Sequence, residues 1–597
     1  MRRLPQIAFA TLVAATVAAF FITQHLKVST PLIAGAPRPV PGVINPLDGI
    51  VCGGVDHRRM RISFYLLHRS DDVDVYVVDQ SGTIVRTLAS GVHMQGGAHP
   101  VRRLFVWDGR RDDGRIASDG TYYVRVALIH QGRTVTISGP SGPEPVKVKV
   151  APPAPVVKSV TPHLIPSGSS TSVTIVYAGN ESRGGTVRIY RTDLRGKPRL
   201  MKSFLTPWRG QRAVWDGLIN KRPAPAGTYL VGLDVTDAAC NTGHFPVQLP
   251  PPPGSTPGAG VSVRYLAVEP PLGSVRAGSR AVAYVDSRRR PYRWGLYRPG
   301  ARKPVASGHG DSFALRVPLP RGRAGLYDLS LRSGAHVTRV PLVAHASRPS
   351  QVLVVLPALT WQGLNPVDDD GDGLPNTLSS GQPVKLARPL VNGPPAGLGD
   401  EAALLSYLDS SHHNYDLTTD LGLIDGVGPR LTPHRMVILA GTEEWLPHSL
   451  LSALHSYVAG GGHVLSLGIG SHLHEVIVGA GEAQDPTAPA RSDPLAATPR
   501  AVLGGNRELI GVLTDGLGIF STTSGVFPGF GSYQPFGSSG LRLASEGGVS
   551  SSAPTIIGYR LRRGIVVDIG LPGFASHLAR DVDAKELVDQ AWTVLTR

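Results

Sequence analysis

The stretch FVWDGRRDDGRIASDGTYYVRV, residues 105–126, decides the fold of the first half of this 597-residue chain. Its Trp-Asp-Gly recurs as Trp215-Asp216-Gly217, and in both copies a turn then leads into a Gly-Thr-Tyr strand start. An alternating strand precedes each copy, as in VDVYVVD at residues 73–79. Because period-two alternation between closely spaced turns is typical of a β-sandwich, the repeat predicts two sandwiches in series.

These two copies resemble the Ig-like module of bacterial flagellar hook-capping proteins. The first copy carries the signature in full, which is VDVYVVDQSGTIVRTL at residues 73–88, then FVWDGRRDDGR, then SDGTYYVRV. The second keeps Trp-Asp-Gly and Gly-Thr-Tyr but has Leu218-Ile219-Asn220 where the first has an acidic turn. The resemblance implies a fold and no activity, and we expect Trp107 and Trp215 to be packing residues.

A third unit, residues 261–345, alternates in the same way without that signature, and it predicts another sandwich. Pro-rich linkers at residues 151–155 and 249–257 separate the units. The chain contains 71 Gly and 52 Pro, an abundance that favours turn-rich β modules over helical ones.

The pattern changes after Arg348. The run QVLVVLP, residues 351–357, is continuously apolar, as expected for a strand buried on both faces. Similar strands are predicted at residues 436–440, 463–467 and 564–569, and helices at 400–413, 447–459 and 584–595. Alternation of strands and helices predicts a parallel sheet, with ligands beyond the carboxyl ends of its strands.

The order VLVVLPALTWQGLN, MVILAGTEEWLP, HSYVAGGGHVLSLG resembles the C-terminal domain of the large (beta) subunit of N,N-dimethylformamidase and its relatives. The resemblance covers roughly residues 350–597, with part of the sandwich before them. It implies a flavodoxin-like, three-layer α/β domain related to class I glutamine amidotransferases. The expected crevice residues are Trp361, Gln362, Gly441, Trp445, Gly468 and Ser471.

An amidotransferase needs a thiolate nucleophile on a strand-to-helix elbow, which would fall here at residues 468–472. The only cysteines, Cys52 and Cys240, precede this domain, so thiol hydrolysis is excluded. Ser471 beside a histidine would suit a serine hydrolase, but no orienting carboxylate can be assigned to it. The alternative is a Gly-rich loop at a strand end.

Glu443 and Glu444 are weak candidates for catalytic carboxylates, because they follow a predicted core strand at the expected crevice. Dimethylformamidase-like proteins are expected to bind iron through tyrosine and glutamate oxygens. The run here is Glu443-Glu444-Trp445, with no tyrosine beside the carboxylate, which argues against iron or another transition metal. The alternative is a carboxylate favoured by the dipole of the helix that begins near Pro447.

The sequence DDDGDGL, residues 368–374, reads as the opening of a calcium loop whose oxygen ligands alternate along the chain. The acidic residue expected at position 12 of such a loop falls on Ser379, so a complete EF-hand is not predicted. A smaller loop of the kind found in extracellular calcium repeats, or a solvated acidic turn, remains open. The predicted calcium ligands are Asp368, Asp370, Asp372, the Leu374 carbonyl and Asn376.

At the N-terminus, Arg2 and Arg3 precede an uncharged apolar stretch at residues 7–22. Its length lies between a signal-peptide core and a membrane span, so both an uncleaved anchor and a cleaved signal are predicted alternatives. The arginine pair places that end in the cytoplasm and the rest of the chain outside. Two cysteines suit this compartment either as one long-range disulfide or as free thiols.

The net charge is +16, but the arginine clusters are scattered over every unit, which argues against a specific nucleic-acid partner.

The sequence predicts a membrane-anchored or secreted bacterial surface protein. Its sandwiches would form a stalk for the α/β domain, which binds a cell-envelope ligand or protein. The alternative is a metal-dependent amide hydrolase using Glu443 or Glu444. The predicted order is an anchor or signal at 1–28, a Pro-rich spacer at 29–50, Ig-like sandwiches at 51–150, 156–248 and 261–345, and the α/β domain at 350–597.

Overall fold

The described residues form three β-sandwich cores and two further cores, one on each face of an α/β sheet. The computed structural model describes residues 4–29, 31–35, 37–47, 51–52, 54–179, 185–207, 210–286, 291–391, 393–468, 474–485, 495, 498–504, 509–537, 541–546 and 554–597.

Helix α1, Leu4–Ser29, comes first and exposes its apolar side chains, among them Phe9 and Phe21. Across the described residues, no helix has the length and apolarity required to cross a membrane.

In the first sandwich, the three-stranded sheet β1-β5-β8 faces the sheet β2-β13-β9-β6-β7. Residues 29–50, expected to be a Pro-rich spacer, contribute β1 and β2. The second of these pairs in parallel with β13, and Ile44 is fully buried. The strands are β1 Ile33–Ala34, β2 Val43–Ile44, β3 Val51–Cys52, β4 Val55–Asp56, β5 Met60–Leu66, β6 Asp71–Val78, β7 Ile84–Met94, β8 Arg103–Trp107, β9 Gly120–Leu128, β10 Arg133–Thr136, β11 Ser138–Gly139, β12 Gly142–Pro143 and β13 Pro145–Val148.

The second sandwich repeats this arrangement, with β14-β16-β19 facing β15-β24-β22-β17-β18. Its last strand, β24, follows the Pro-rich linker, so the unit extends to Arg264 instead of ending at 248. The strands are β14 Val156–Thr161, β15 Leu164–Pro166, β16 Val173–Ala178, β17 Gly185–Arg191, β18 Arg199–Leu205, β19 Arg212–Trp215, β20 Leu218–Ile219, β21 Arg222–Pro223, β22 Gly227–Thr236, β23 Thr242–Phe245 and β24 Gly260–Arg264.

The third sandwich has the same plan without the Trp-Asp-Gly signature: β25-β27-β30 faces β26-β32-β31-β28-β29. In all three units the strand that opens the larger sheet runs parallel to that unit's last strand. The strands are β25 Ala267–Glu269, β26 Val275–Arg276, β27 Arg280–Asp286, β28 Tyr292–Tyr297, β29 Ala306–Gly310, β30 Ala314–Pro318, β31 Gly325–Ser333 and β32 His336–His345.

The repeated motif is a packing unit in both copies. Trp107 and Trp215 are fully buried, and each indole N–H donates to the main-chain carbonyl three residues further on, at 2.8 and 3.0 Å. Tyr122 and Tyr229, from the Gly-Thr-Tyr strands, lie 5.2 and 5.8 Å from those rings. Each tyrosine hydroxyl donates to the carbonyl four residues earlier. The motif therefore joins the two sheets of its sandwich, as expected for a residue pattern without catalytic chemistry.

The first two sandwiches meet around Cys240, which is disulfide-bonded. Of the two states left open by the sequence, Cys240 is therefore in the disulfide and not in the free-thiol state. Beside it, the Asn241 amide donates to the Lys149 carbonyl at 3.0 Å, and the Lys149 ammonium lies 3.6 Å from Asp237.

A nine-stranded sheet forms the last unit, in the order β35-β33-β36-β38-β49-β48-β47-β43-β44. The first five strands are parallel and the other four antiparallel. The elements are β33 Val352–Leu356, α2 Ala358–Gly363, a 3-10 turn Leu378–Ser380, β34 Val384–Lys385, α3 Leu398–Ser410, β35 Asp416–Thr419, α4 Asp420–Ile424, β36 Met436–Leu439, β37 Trp445–Pro447, α5 His448–Ala459, β38 His463–Ser466, β39 His474–Gly479, β40 Glu482–Gln484, β41 Thr498–Pro499, β42 Leu503–Gly504, β43 Ile510–Val512, β44 Val526–Phe527, β45 Ser532–Tyr533, β46 Phe536–Gly537, β47 Leu541–Glu546, β48 Ile556–Leu561, β49 Gly564–Ile569, α6 Phe574–His577 and α7 Val582–Leu595.

Helices cover both faces of this sheet: α3 and α7 contribute to one apolar core and α5 to the other. The predicted apolar strands are present within one or two residues of their expected ends. Strand β35, with the sequence DLTT, was missed, because two threonines and an aspartate do not form an apolar run. It pairs with β33 at the outer edge of the parallel strands.

The α/β unit packs against both the second and the third sandwich. The Thr419 hydroxyl donates to the Leu272 carbonyl at 2.7 Å, and Asp416 accepts the Ala346 N–H at 2.9 Å, both across the boundary with the third sandwich. The loop at residues 368–374 contacts the second sandwich. Two neighbours therefore fix the orientation of the α/β unit.

The glycine of Trp-Asp-Gly gives a test of this architecture. Gly217 has φ +70°, and a Cβ there would lie 2.5 Å from the Thr171 carbonyl oxygen. Gly196 has φ +95° with open space around it, so Gly196→Ala should cost only about 1–2 kcal/mol of conformational strain. We expect Gly217→Ala to cost about 3 kcal/mol or more, measured by urea unfolding followed by tryptophan fluorescence. Equal losses in the two variants would contradict this packing.

Candidate functional site

A crevice of about 350 Å³ opens at the carboxyl ends of β33, β36 and β38. Helix α2 forms one wall, the N-terminal turn of α3 another, and the segment before and within α6 a third. This is the edge at which the sequence predicted a ligand site. Trp361, Gly441 and Gly468 line the crevice as expected, and Glu444 joins them.

Two expected crevice residues belong to the surrounding framework instead. The Gln362 amide donates to the Arg388 carbonyl at 3.1 Å and is buried behind α2. The Trp445 indole N–H donates to Asp485 at 3.0 Å and is also buried. Neither side chain lines the crevice. Ser471, with the rest of the predicted elbow after Gly468, lies outside the described residues.

Glu444 is half-buried at the crevice wall. Its main-chain N–H donates to the Thr360 hydroxyl at 3.1 Å, which fixes the strand end against α2. Burial raises the pKa of its carboxyl, the charge of His474 lowers it, and the nearby Asp485 raises it. The His474 ring lies 2.7 Å from Asp485. Glu444, His474 and Asp485 therefore form a row of interacting side chains behind the crevice wall.

Glu443 points the opposite way and is fully buried beneath the crevice. Burial is the main cause that raises the pKa of its carboxyl, and the charge of Asp420 and a hydrogen bond with Asp420 raise it further. Asp420 is itself fully buried, and both its carboxylate oxygens accept the Leu359 N–H, at 3.0 and 3.1 Å. It thereby caps the start of α2, and Glu443, whose pKa is raised, lies beside the carboxyl group that holds this helix.

Sequence reasoning missed Glu401, the carboxyl on the crevice floor. It is 2% exposed, and burial raises the pKa of its carboxyl to about 8. The charge of Asp400 also raises this pKa, and the Trp361 indole lowers it. The contact between these two groups is too poorly aligned or too long to be a regular hydrogen bond, so among the described residues neither Glu401 Oε2 nor Trp361 Nε1 has a well-formed hydrogen-bond partner. Both groups line the crevice and are therefore placed to bind something that enters it.

A sequence signal for Glu401 exists. In α3, residues 401, 404, 405 and 408 share one helix face, and the other three are buried leucines. A carboxylate on an apolar stripe is unusual, because burial of an unpaired charge is costly. Two acidic residues in the first turn of a helix are common, so Asp400 and Glu401 at the start of α3 did not suggest a buried carboxyl. Helix α5 begins at His448, after strand β37, and its first turn contains no acidic residue, so Glu443 and Glu444 both lie outside that turn.

The acidic loop brings three predicted calcium ligands together. Carboxylate oxygens of Asp368, Asp370 and Asp372 all lie within 4.8 Å of one another, which suits a calcium ion bound at 2.3–2.6 Å. The Asn376 amide oxygen instead accepts the Asp369 N–H at 2.8 Å and closes the loop. The donor set consists of hard oxygens, so these residues fit a calcium ion.

Backbone groups hold this loop in shape. Asp368 accepts the Gly371 and Gly373 N–H groups at 2.7 and 3.0 Å, and Asp372 accepts the Leu374 N–H at 2.7 Å. Burial, with the charges of Asp372 and Asp370, raises the pKa of Asp368 to about 7. A bound cation would reverse this shift, because it stabilises the ionised form.

The same loop is the contact with the second sandwich. Asp372 accepts the Gly254 N–H at 2.8 Å, and its carbonyl accepts the Thr256 hydroxyl at 2.7 Å. The Gly260 N–H donates to the Gly371 carbonyl at 2.9 Å. The predicted calcium ligands therefore lie at a junction between two units, where a bound ion would stabilise both.

Two protein families match parts of this chain. Residues 307–484 match the family described as N,N-dimethylformamidase beta subunit-like, C-terminal. Residues 54–132 match the FlgD Ig-like domain. Both resemblances drawn from the sequence are confirmed, and the first match begins inside the third sandwich. No curated protein matches the chain.

Solved structures add only loose similarities. Two of them are described as marsupial T cell receptor. The first is 9% identical, and the match covers 47% of this chain and 95% of the receptor chain with a TM-score of 0.18. The second is 10% identical, and the match covers 52% of this chain and 98% of the receptor chain with a TM-score of 0.15. An ICAM-5 D1–D4 ectodomain fragment is 10% identical, and the match covers 52% of this chain and 76% of the fragment with a TM-score of 0.18. At these TM-scores the similarities carry no argument about function.

The iron site implied by the dimethylformamidase resemblance does not fit the crevice. Such a site needs tyrosine and glutamate oxygens, and the described lining of the crevice contains no tyrosine. Glu443 and Asp420 are paired below the floor, and Glu444 lies on the wall. No step of a reaction is assigned to iron here.

Calcium should stabilise the junction. Asp370 is exposed and accepts the Asp372 N–H at 3.2 Å, a bond that an asparagine oxygen can also accept, so Asp370→Asn keeps the loop but removes a ligand charge. We expect 1 mM calcium to raise the Tm of the full chain by several degrees relative to EDTA, and Asp370→Asn to remove most of that rise. Asp113→Asn, in the first sandwich, is the charge-matched control. An identical calcium response in all three proteins would rule out this site.

The pH dependence of stability should report Glu401. Its folded-state pKa is about 8, against the usual 4.5, so its contribution is fully present below pH 4.5 and is lost as the pH rises through 8. Between these values we expect the Tm of the wild type to fall more steeply than that of Glu401→Gln. A shift from 4.5 to about 8 corresponds to roughly 5 kcal/mol over this range, or roughly 10–20 °C in Tm. Glu482→Gln, exposed in the same domain, should follow the wild type.

Proposed function

We propose that this chain is an extracytoplasmic bacterial surface protein in which the Ig-like units hold an α/β domain that binds a cell-envelope ligand. The observation that carries the proposal is the crevice, which opens where parallel strands end and has buried polar groups on its floor. Its floor presents Glu401 and Trp361 without well-formed hydrogen-bond partners among the described residues. A binding role accounts for these groups without a nucleophile.

The fold of the α/β domain is proposed to be flavodoxin-like and related to amidotransferases. In chain order its five parallel strands run 2-1-3-4-5, which is the order of flavodoxin-like sheets. The strand order reverses between β33 and β36, and the crevice lies at that point. In open α/β sheets this is the usual position of a ligand.

The location outside the cytoplasm rests on two features. Cys240 is disulfide-bonded, and disulfides persist in oxidising compartments. Arg2 and Arg3 precede the apolar residues 7–22, which we propose act as a membrane anchor or a cleaved signal. Millimolar extracellular calcium would then be available to the loop at 368–374.

An alternative is a metal-dependent hydrolase acting on carbon–nitrogen bonds of linear amides. The match of residues 307–484 and the position of Glu444 on the crevice wall favour it. It requires a transition metal in the purified full chain and release of amine from small amides. If the domain only binds a ligand, metal analysis should find calcium alone and the amide assay should detect no released amine. The Glu444→Gln and Glu475→Gln variants should then give the same result in that assay.

The location can be tested with a reporter. Alkaline phosphatase fused after Arg597 folds only where its disulfides form, so we expect the fusion to be active in intact bacteria. Replacing Arg2 and Arg3 by Glu should lower that activity several-fold, because the positive residues orient the segment. An inactive wild-type fusion that accumulates at full length would contradict an extracytoplasmic location.

A further inference from the structure

We propose that the crevice binds a small organic ammonium group, with Glu401 as the carboxylate that receives it. This inference rests on the crevice being a binding site, as proposed above, and goes further by naming the chemical class of the ligand. It follows from the charges, the buried polar atoms and the apolar surface that the crevice presents.

The charge of the crevice is opposite to that of the protein. Its described lining includes three carboxyl groups, Asp400, Glu401 and Glu444, and no Lys, Arg or His. The whole chain carries 60 basic and 44 acidic residues, so a cavity lined only by acidic charges stands out from its surroundings. Such a cavity attracts cations and repels anions.

The buried polar atoms show where a ligand would bind. Glu401 is almost fully buried, yet its Oε2 has no well-formed hydrogen-bond partner among the described residues. Its Oε1 lies so close to Gly441 that a Cβ there would be 2.3 Å away. The glycine therefore lets the carboxyl lie against the end of β36 with one oxygen left for a ligand. An ammonium group donates up to three hydrogen bonds and could satisfy that oxygen.

The rest of the lining suits the carbon part of an amine. Leu364, Ala440, Leu467 and Phe574 give an apolar wall, and the Trp361 ring lies beside the carboxyl. Aromatic rings attract ammonium groups as well as alkyl chains. A cavity of about 350 Å³ accommodates an alkylamine of four or five carbons. A simple hydrated metal ion would leave this apolar surface without a function.

Entry of a cation would change the protonation of the floor. The charge of Asp400 disfavours the ionisation of Glu401. The charge of Glu401 in turn raises the pKa of the buried Glu443 carboxyl below it. Burial raises the pKa of Glu401 to about 8, so at neutral pH the empty site holds a proton. An ammonium group stabilises the carboxylate, and the displaced proton leaves to solvent. Binding should therefore strengthen as the pH rises towards 8.

The test is calorimetric titration of the full chain with butylammonium and with butanol, a neutral ligand of similar shape. We expect butylammonium to bind in the millimolar range, butanol at least tenfold more weakly, and affinity for the amine to rise several-fold between pH 6.5 and 8.5. Glu401→Gln should weaken the amine at least tenfold and abolish this pH dependence. Asp400→Asn, at the partly exposed mouth, should weaken it two- to fivefold, and Glu482→Gln should have no effect.

A second arm separates a free amine from the amine end of an envelope peptide. A lysine-containing dipeptide and its Nε-acetylated form are titrated alongside butylammonium. Tighter binding of the dipeptide than of butylammonium would identify the peptide source, and equal binding a free amine. Equal affinity for butanol and butylammonium, or unchanged binding in Glu401→Gln, would overturn the proposal. Binding of magnesium or calcium that depends on Glu401 and excludes butylammonium would also overturn it. None of these results bears on the cellular location, which the reporter measures separately.

Discussion

The buried guanidinium of Arg388 holds together the parts of the α/β domain that carry its chemistry. It lies 2.6 Å from Asp369 in the acidic loop and donates to the Asn376 carbonyl at 3.1 Å. It also donates to the Gln362 and Asn365 carbonyls, at the end of α2. Burial lowers the pKa of Arg388, and the charge of Asp369 offsets that cost. One side chain thus connects the predicted calcium loop to the helix that lines the crevice.

Helix α2 is held at both ends by buried charged groups. Asp420 accepts a main-chain N–H at its start, and Arg388 donates to carbonyls at its end. The side chains of Thr360 and Trp361 lie between them and face the crevice. A six-residue helix would be marginal alone, because so short a helix gains little from its own hydrogen bonds. Its position depends on contacts from distant parts of the chain.

That dependence explains what the sequence could and could not predict. Trp107 with Tyr122, and Trp215 with Tyr229, are local pairs whose spacing repeats, so the sandwiches were recognised from residue pattern alone. Gly441 and Gly468 were expected at strand ends because the apolar runs before them were plain. The carboxyl groups of the site were harder to predict. Glu401 and Asp420 lie near the crevice, but the sequence around each of them has no pattern that indicates a functional site. Asp420 follows β35, a strand with too little apolar character to be seen.

The parallel pairing that opens the larger sheet of each sandwich has a mechanical consequence. In the first unit β2 and β13 lie side by side and run in the same direction, as do β15 and β24, and β26 and β32. Each pair joins an early strand of its unit to the last one. A pull along the chain would load all the hydrogen bonds of such a pair in shear, instead of opening them one at a time. The third pair, β26 and β32, lies wholly after the disulfide-bonded Cys240, so tension transmitted along the chain to the α/β domain would load it in this way.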